Sequence, residues 1–286
     1  MPRAYYCFVA GFPDFALDDP KLPLNSKGLK ADLGDILAPE DRVYLAELFY
    51  PVDNKNFLAV LLGRLDQAHD PLGAYTREEL EDEVRVPTRL PRYMIDFIDQ
   101  YRAGVSGDTH PENILAAAMY TALAQSNNAF IRNWFAFDRD LRNIVAALGC
   151  RRTKKTDLVE REVIGEGLVA DAIRRGSGAD FGLGRELVWL DALLRGYQAS
   201  LLERELAIDR IRLDMLDELT VSSDFTLDRV LALVVRLGIA ERWLALDLAR
   251  GREMLTRILA DMKSGLVFPE EFSLRIRGGS KHGDNR

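Results

Sequence analysis

Apolar residues recur along most of this chain three and four positions apart, the spacing that lines one side of an α-helix, while the alternation of a half-buried strand is scarce. The pattern predicts an all-α, or mainly α, protein. After Pro91, residues Met94, Phe97, Ile98 and Tyr101 fall at i, i+3, i+4 and i+7 and form an apolar face. Thr76 and Glu79 have the spacing of a capping box, in which hydroxyl and carboxylate serve the free amides of a helix start. Pro39 and Pro51, each followed closely by acidic residues, read as further helix starts. The exception is Ala4 to Val9, a β-rich run ending at Gly11 and Pro13, which predicts a short strand or an extended arm. Glycine-rich breaks at 104–111 and 176–184 separate long helical runs. These cover 111–148, which would reach roughly 55 Å as one helix, then 185–219 interrupted only by Gly196, and 226–262 interrupted near Gly238 or Gly251. Runs of this length favour an elongated helical body.

Within that body two stretches share a polar skeleton. Asp53, Asn56, Ala59, Leu61 and Arg64 recur at the same offsets as Asp140, Asn143, Ala146, Leu148 and Arg151. At about 100° per residue the Asp, Asn and Arg of each copy lie on one side of a helix, flanked by apolar residues. Two readings are open. The six polar residues bond to neighbouring helix ends and fix packing inside each repeat, or they face a partner, an Arg held near an Asp being a planar donor for another chain. A second echo links 134–138 (WFAFD) to 243–247 (WLALD). Together they suggest one helical domain over 1–272 with pseudo-repeats near 1–107, 108–184 and 185–272, followed by a flexible basic tail over 273–286.

Helical repeats of the form Asp-x-x-Asn, two apolar residues, then Arg about two turns on resemble those of one family of V-type (A/V-type) ATPase stalk proteins, the C subunits of prokaryotes and the d subunits of eukaryotes. Longer segments are similar to a divergent bacterial branch of that family: 5–19 (YYCFVAGFPDFALDD), 48–61 (LFYPVDNKNFLAVL), 90–101 (LPRYMIDFIDQY), 128–144 (NAFIRNWFAFDRDLRNI), 179–190 (ADFGLGRELVWL), 239–247 (IAERWLALD) and 267–272 (VFPEEF). The resemblance implies a funnel-shaped helical component of the central stalk. Such a protein has no catalytic site of its own and sits on the cytoplasmic face of the membrane rotor ring, where it receives the central shaft and transmits torque. Its implied partners are the shaft subunits and the rotor ring, and its implied attachment to the membrane is peripheral, through protein contacts. The chain departs from the family's common form in two places. Asp247 and Arg250 stand where the first two copies have Asp and Asn, and the N-terminal YYCFVAGFP is unlike a helical start.

Composition narrows the remaining classes. With 48% hydrophobic and 29% charged residues the chain is globular in character, and its net charge of −7 over mixed-sign surfaces argues against nucleic acid or an anionic membrane face as main partner. Cys7 and Cys150 are the only cysteines, too few for a disulfide framework or a four-thiolate metal site, which points to a reducing, cytoplasmic setting. The N-terminus is too short in apolar residues for a signal peptide, and the most apolar later run, 230–246, is broken by Arg236, Glu241 and Arg242. A soluble chain is expected.

Chemistry is sparse. His69, His110 and His282 lie in no metal-binding or triad spacing, and no cofactor is expected. The run 176–184 (GSGADFGLG) lacks the lysine and hydroxyl ending of a phosphate loop, and its Asp-Phe-Gly has no accompanying kinase motifs, so it reads as an interhelical loop. The acidic run from Glu78 to Glu83 reads as a solvated helix face, Asp138 with Arg139 and Arg142 as surface pairs, the cluster Arg151, Arg152, Lys154 and Lys155 as a helix end, and Trp134, Trp189 and Trp243 as core. Two other functions stay open: a helical adaptor unrelated to a rotary motor, and an enzyme with a carboxylate-lined pocket.

Overall fold

The structure is a computed structural model that describes residues 4–16, 19, 21–64, 66–104, 109–176 and 178–265, with side chains described to residue 246. The basic tail, the segment 267–272, His282 and the side chains of Asp247 and Arg250 lie outside the described residues. The chain is mainly α, with thirteen α-helices among the described residues. Three precede the first polar stripe: α1 (Tyr6–Gly11), α2 (Ser26–Ile36) and α3 (Arg42–Leu48). Next come α4 (Tyr50–Leu61), α5 (Arg77–Arg85), α6 (Arg92–Arg102) and α7 (Pro111–Leu123). The remainder comprises α8 (Ala129–Arg152), α9 (Val159–Glu162), α10 (Leu168–Arg175), α11 (Leu190–Gln198), α12 (Leu201–Thr220) and α13 (Leu227–Gly265).

Local chemistry sets these boundaries. The capping box of Thr76 and Glu79 opens α5 as its spacing predicts, and Ser200 with Glu203 forms a second one at α12. The run 111–148 is divided, because the Asn128 side chain accepts the Ile131 amide and starts α8 afresh after a turn at 124–127. The run from 185 is also divided, but at Ser200 instead of Gly196. Gly196 lies buried inside α11, and a Cβ built there would stand 2.6 Å from the Ala207 Cβ of α12. The glycine is present for close helix approach, so Gly196→Ala is expected to cost about 1–3 kcal/mol in a denaturation experiment. Conversely α13 passes through Gly238 and Gly251 without a break and extends about 58 Å. The N-terminal run is corrected most. Ala4 alone pairs with Thr226 in an isolated antiparallel bridge, and helix begins at Tyr6. Strand-type pairing ends at Tyr5, whose amide bonds the Phe225 carbonyl at 2.6 Å, while its own carbonyl accepts the Val9 amide at 3.0 Å in the first helical turn.

A continuous core runs from Leu29, Leu33 and Phe57 through Met94, Ile98, Leu115, Ile131 and Leu141 to Leu190, Val230 and Leu237. Around it one packing scheme occurs twice. Helix α4 packs on α5 and α7, α6 packs on α7, and α7 leads into α8, against which it also packs. Helix α8 packs in turn on α10 and α12, α11 packs on α12, and α12 leads into and packs on α13. These two groups of helices span 50–123 and 129–220. Trp134 and Trp243 are buried and Trp189 is half-buried, its ring edge-on to Phe137 at 5.7 Å.

Candidate functional site

The two polar stripes fall at corresponding places in these units, on α4 and α8, and each ties down the loop that follows its helix. On α4, Asn56 clasps the main chain of Asp70: its Nδ2 donates to the carbonyl at 2.8 Å and its Oδ1 accepts the amide at 2.9 Å. Asp53, one turn earlier and 1% exposed, accepts the Ala74 amide through Oδ1 at 2.6 Å. Gly73 passes between them, since a Cβ there would lie 2.7 Å from Asn56 Nδ2 and 2.8 Å from Asp53 Oδ1. From α2, Lys30 donates to the carbonyls of Leu72 and Gly73 and stands 4.3 Å from the centre of the Phe49 ring.

On α8 the carboxamide does the same work. Asn143, fully buried, donates to the Ile164 carbonyl at 2.9 Å and accepts the Ile164 amide at 3.0 Å. Asp140 differs from Asp53: it is bound by the adjacent Arg139 guanidinium at 2.9 Å and 3.1 Å and does not reach the loop. Its place is taken by Arg142, which bonds the Glu162 carbonyl and Asn113 Oδ1, and by Arg174, which bonds the carbonyls of Val163 and Gly165. The arginines at the third stripe position hold neighbouring segments. Arg64 meets Glu112 of α7 at 2.5 Å in an exposed pair. Arg151 donates to the carbonyls of Gly178 and Ala179, and its guanidinium lies 3.7 Å from the centre of the buried Phe181 ring. Phe181 has φ +57°, a strained choice for a side chain of that size. Asp180 beside it folds back to accept the Gly182 amide at 3.0 Å, so the 176–184 run is an interhelical loop stapled to the end of α8.

Four of the six stripe residues, Asp53, Asn56, Asn143 and Arg151, thus bond loop main chain, while Arg64 pairs with Glu112 and Asp140 with Arg139. Electrostatics separates the copies. Burial pushes the Asp53 carboxyl up to about 6 against the opposing pull of the Ala74 amide, Lys30 and His69. Burial also lowers Lys30, which Asp53 and Asp70 work to raise. Because the folded value for Asp53 lies above its ordinary 3.8, the folded state favours the protonated acid. Stability then falls as pH rises through that interval and is level above it. Between about pH 4 and about pH 7 the native chain is expected to lose on the order of 2 kcal/mol relative to an Asp53→Asn variant, which keeps the acceptor without the charge. Urea unfolding of both proteins across that range checks it, and parallel pH profiles would refute it.

Three further carboxylates are fixed by the tertiary structure: Asp209, which the sequence reading did not single out, and Asp138 and Glu83, which depart from it. Asp209 of α12 is fully buried: it accepts Trp243 Nε1 at 2.7 Å, bonds Arg212 at 3.0 Å and pairs with Arg242. Asp138 is half-buried and bonds the Tyr120 hydroxyl at 2.6 Å and Arg212 at 3.6 Å, so its expected surface pairs with Arg139 and Arg142 are not formed. The reason is direction: its carboxylate faces α7 and α12, while Arg139 turns to Asp140. Glu83 corrects the reading of its acidic run. It is 3% exposed, and although burial acts to raise it, the Thr88 and Arg89 amides, the Thr88 hydroxyl and the Arg89 guanidinium hold the carboxyl at about 2.

Among the described residues no group of three or more His, Cys, Asp or Glu could hold a metal ion, and no helix is long and apolar enough to cross a membrane. The fold is mainly α, and each polar stripe uses its asparagine to hold the loop that follows its helix. The chain belongs to the family described as "Protein of unknown function (DUF2764)", whose model matches residues 2–266. No curated protein and no solved structure matches it.

Proposed function

We propose that this chain is a non-catalytic central-stalk subunit of a V-type ATPase, seated between the central shaft and the membrane rotor ring and transmitting torque for ATP-coupled ion transport. The observation that carries the reading is the Asp-x-x-Asn pattern on α4 and on α8, whose asparagine clasps the following loop in both places. That is the repeat form through which the sequence resembles the C and d subunits of these ATPases. Physically, a torque coupler must deform little under shear. Helices packed at crystal-like density resist it, and carboxamides bonded at both ends to loop main chain stop the loops from yielding between them.

On this reading the chain is peripheral to the cytoplasmic face of the membrane and is held there by protein contacts. The test is affinity purification of the tagged full chain from mildly solubilised native membranes, with bound proteins identified by mass spectrometry before and after a salt wash. Recovery of shaft and rotor-ring subunits in near-equal amounts is expected. Recovery of neither, from a chain still folded by circular dichroism, would end the rotor reading in favour of an unrelated helical adaptor.

A further inference from the structure

Helix α1 is an apolar segment that the fold buries only in part, with Phe8 and Val9 against the core. It reads Tyr-Cys-Phe-Val-Ala-Gly, yet none of its residues is fully buried, and Tyr6 is 61% exposed. The aromatic series continues beyond it, with ring centres 5.6 Å apart for Phe8 and Phe12 and 6.2 Å apart for Phe12 and Phe15. Between α1 and α2 lies an open cleft of about 420 Å³, floored by Phe8, Phe12, Leu24 and Ile36, with Asp32 and Asp35 also in its lining. Apolar surface gathered in this way is characteristic of an interaction site.

The charges at the cleft select the occupant. Asp32 and Asp35 are three apart on one side of α2, both are exposed, and neither forms an ion pair among the described residues. Lys27 lies about 140° around the helix from Asp32, and Lys30 is engaged on the other side with the carbonyls of Leu72 and Gly73. Two unpaired carboxylates beside an apolar floor repel an anionic lipid surface and attract a cationic one.

We propose that the cleft between α1 and α2 docks an amphipathic helix of a protein partner, with leucine-like side chains entering over Phe8 and Phe12 and flanking Lys or Arg pairing with Asp32 and Asp35. The site is independent of the rotor reading. It stands equally on a stalk component or an adaptor, and its test needs no ATPase.

Cys7 supplies a local reporter, because it is exposed and lines the cleft while Cys150 is buried. The full chain is titrated with a synthetic leucine-striped helical peptide of about five turns flanked by Lys, and with the same peptide flanked by Glu. Binding is read by fluorescence anisotropy and by protection of Cys7 from alkylation in mass spectrometry. The Lys-flanked peptide is expected to bind at least about tenfold more tightly and to shield Cys7. The double variant Asp32→Lys, Asp35→Lys, altered only at exposed positions and verified by circular dichroism, should reverse the preference. Three outcomes would overturn the site. They are peptide binding that leaves Cys7 labelling or the charge preference unchanged, association with anionic vesicles in place of the peptide, and a sedimentation-detected dimer that shields Cys7 unaided.

Discussion

Replacement of Asp209 by alanine is expected to lower the free energy of unfolding by about 2–4 kcal/mol, the cost of leaving the buried Trp243 indole N–H unpaired and of taking a charged acceptor from the half-buried Arg212 and the exposed Arg242. The carboxylate is fully buried where α12 meets α13, and one group serves three donors: Trp243 Nε1, Arg212 and Arg242. Burial would lower the Arg212 pKa, but Asp138 and Asp209 outweigh it and raise it above its ordinary value. Without Asp209 the guanidinium of Arg212 keeps Asp138 at 3.6 Å, whereas the indole N–H loses its partner. Asp209→Asn retains an acceptor for the indole but no charge for the two arginines, and a smaller loss is expected from it. Urea denaturation followed by tryptophan fluorescence measures both, since Trp243 is itself a reporter of this contact. A loss below about 1 kcal/mol for the alanine variant, the range of an exposed pair, would show that the carboxylate does not organise the junction.

The second large effect is expected at Asn143. Asn143→Ala removes both bonds to Ile164 and leaves a buried amide and a buried carbonyl without partners. At about 1–3 kcal/mol for each stranded group, a loss of about 2–4 kcal/mol follows. Hydrogen exchange adds a local reading, because the Ile164 amide should become one of the fastest exchangers in its segment. Asn143→Asp separates geometry from charge: it can accept the Ile164 amide but sets a carboxylate oxygen against the Ile164 carbonyl, so it should remain destabilised at neutral pH. Asn56→Ala is the internal control. Its loop residue Asp70 is only half-buried, and the same loop stays attached through Asp53 and Lys30, so a smaller loss is expected. Equal losses at the two asparagines would mean that burial does not distinguish the clasps.

What the sequence alone determined were the features that depend on near neighbours. Helical periodicity set the fold class, and the Thr76–Glu79 box placed a helix start, because capping chemistry is complete within four residues. Twelve-residue spacing revealed the two stripes on α4 and α8, since residues that share a helix side are fixed by helix geometry. The tertiary structure decided what those side chains touch. Asn56 meets a main chain 14 residues on and Asn143 one 21 residues on, and no local pattern encodes that distance. Asp53 and Asp140 read alike in sequence, yet one bonds a loop amide and the other an adjacent arginine, because only α4 has Lys30 and Gly73 brought against it. Gly196 reads as a helix break and proves to be a contact, because a missing Cβ permits either and only the neighbouring Ala207 selects between them. The aromatic N-terminus reads as a strand and folds as a helix for a similar reason. Strand-type pairing is confined to Ala4 and Tyr5 against Thr226 and Phe225, residues distant along the chain that only the packed fold brings near, and from Tyr5 onward the main chain bonds within its own helix.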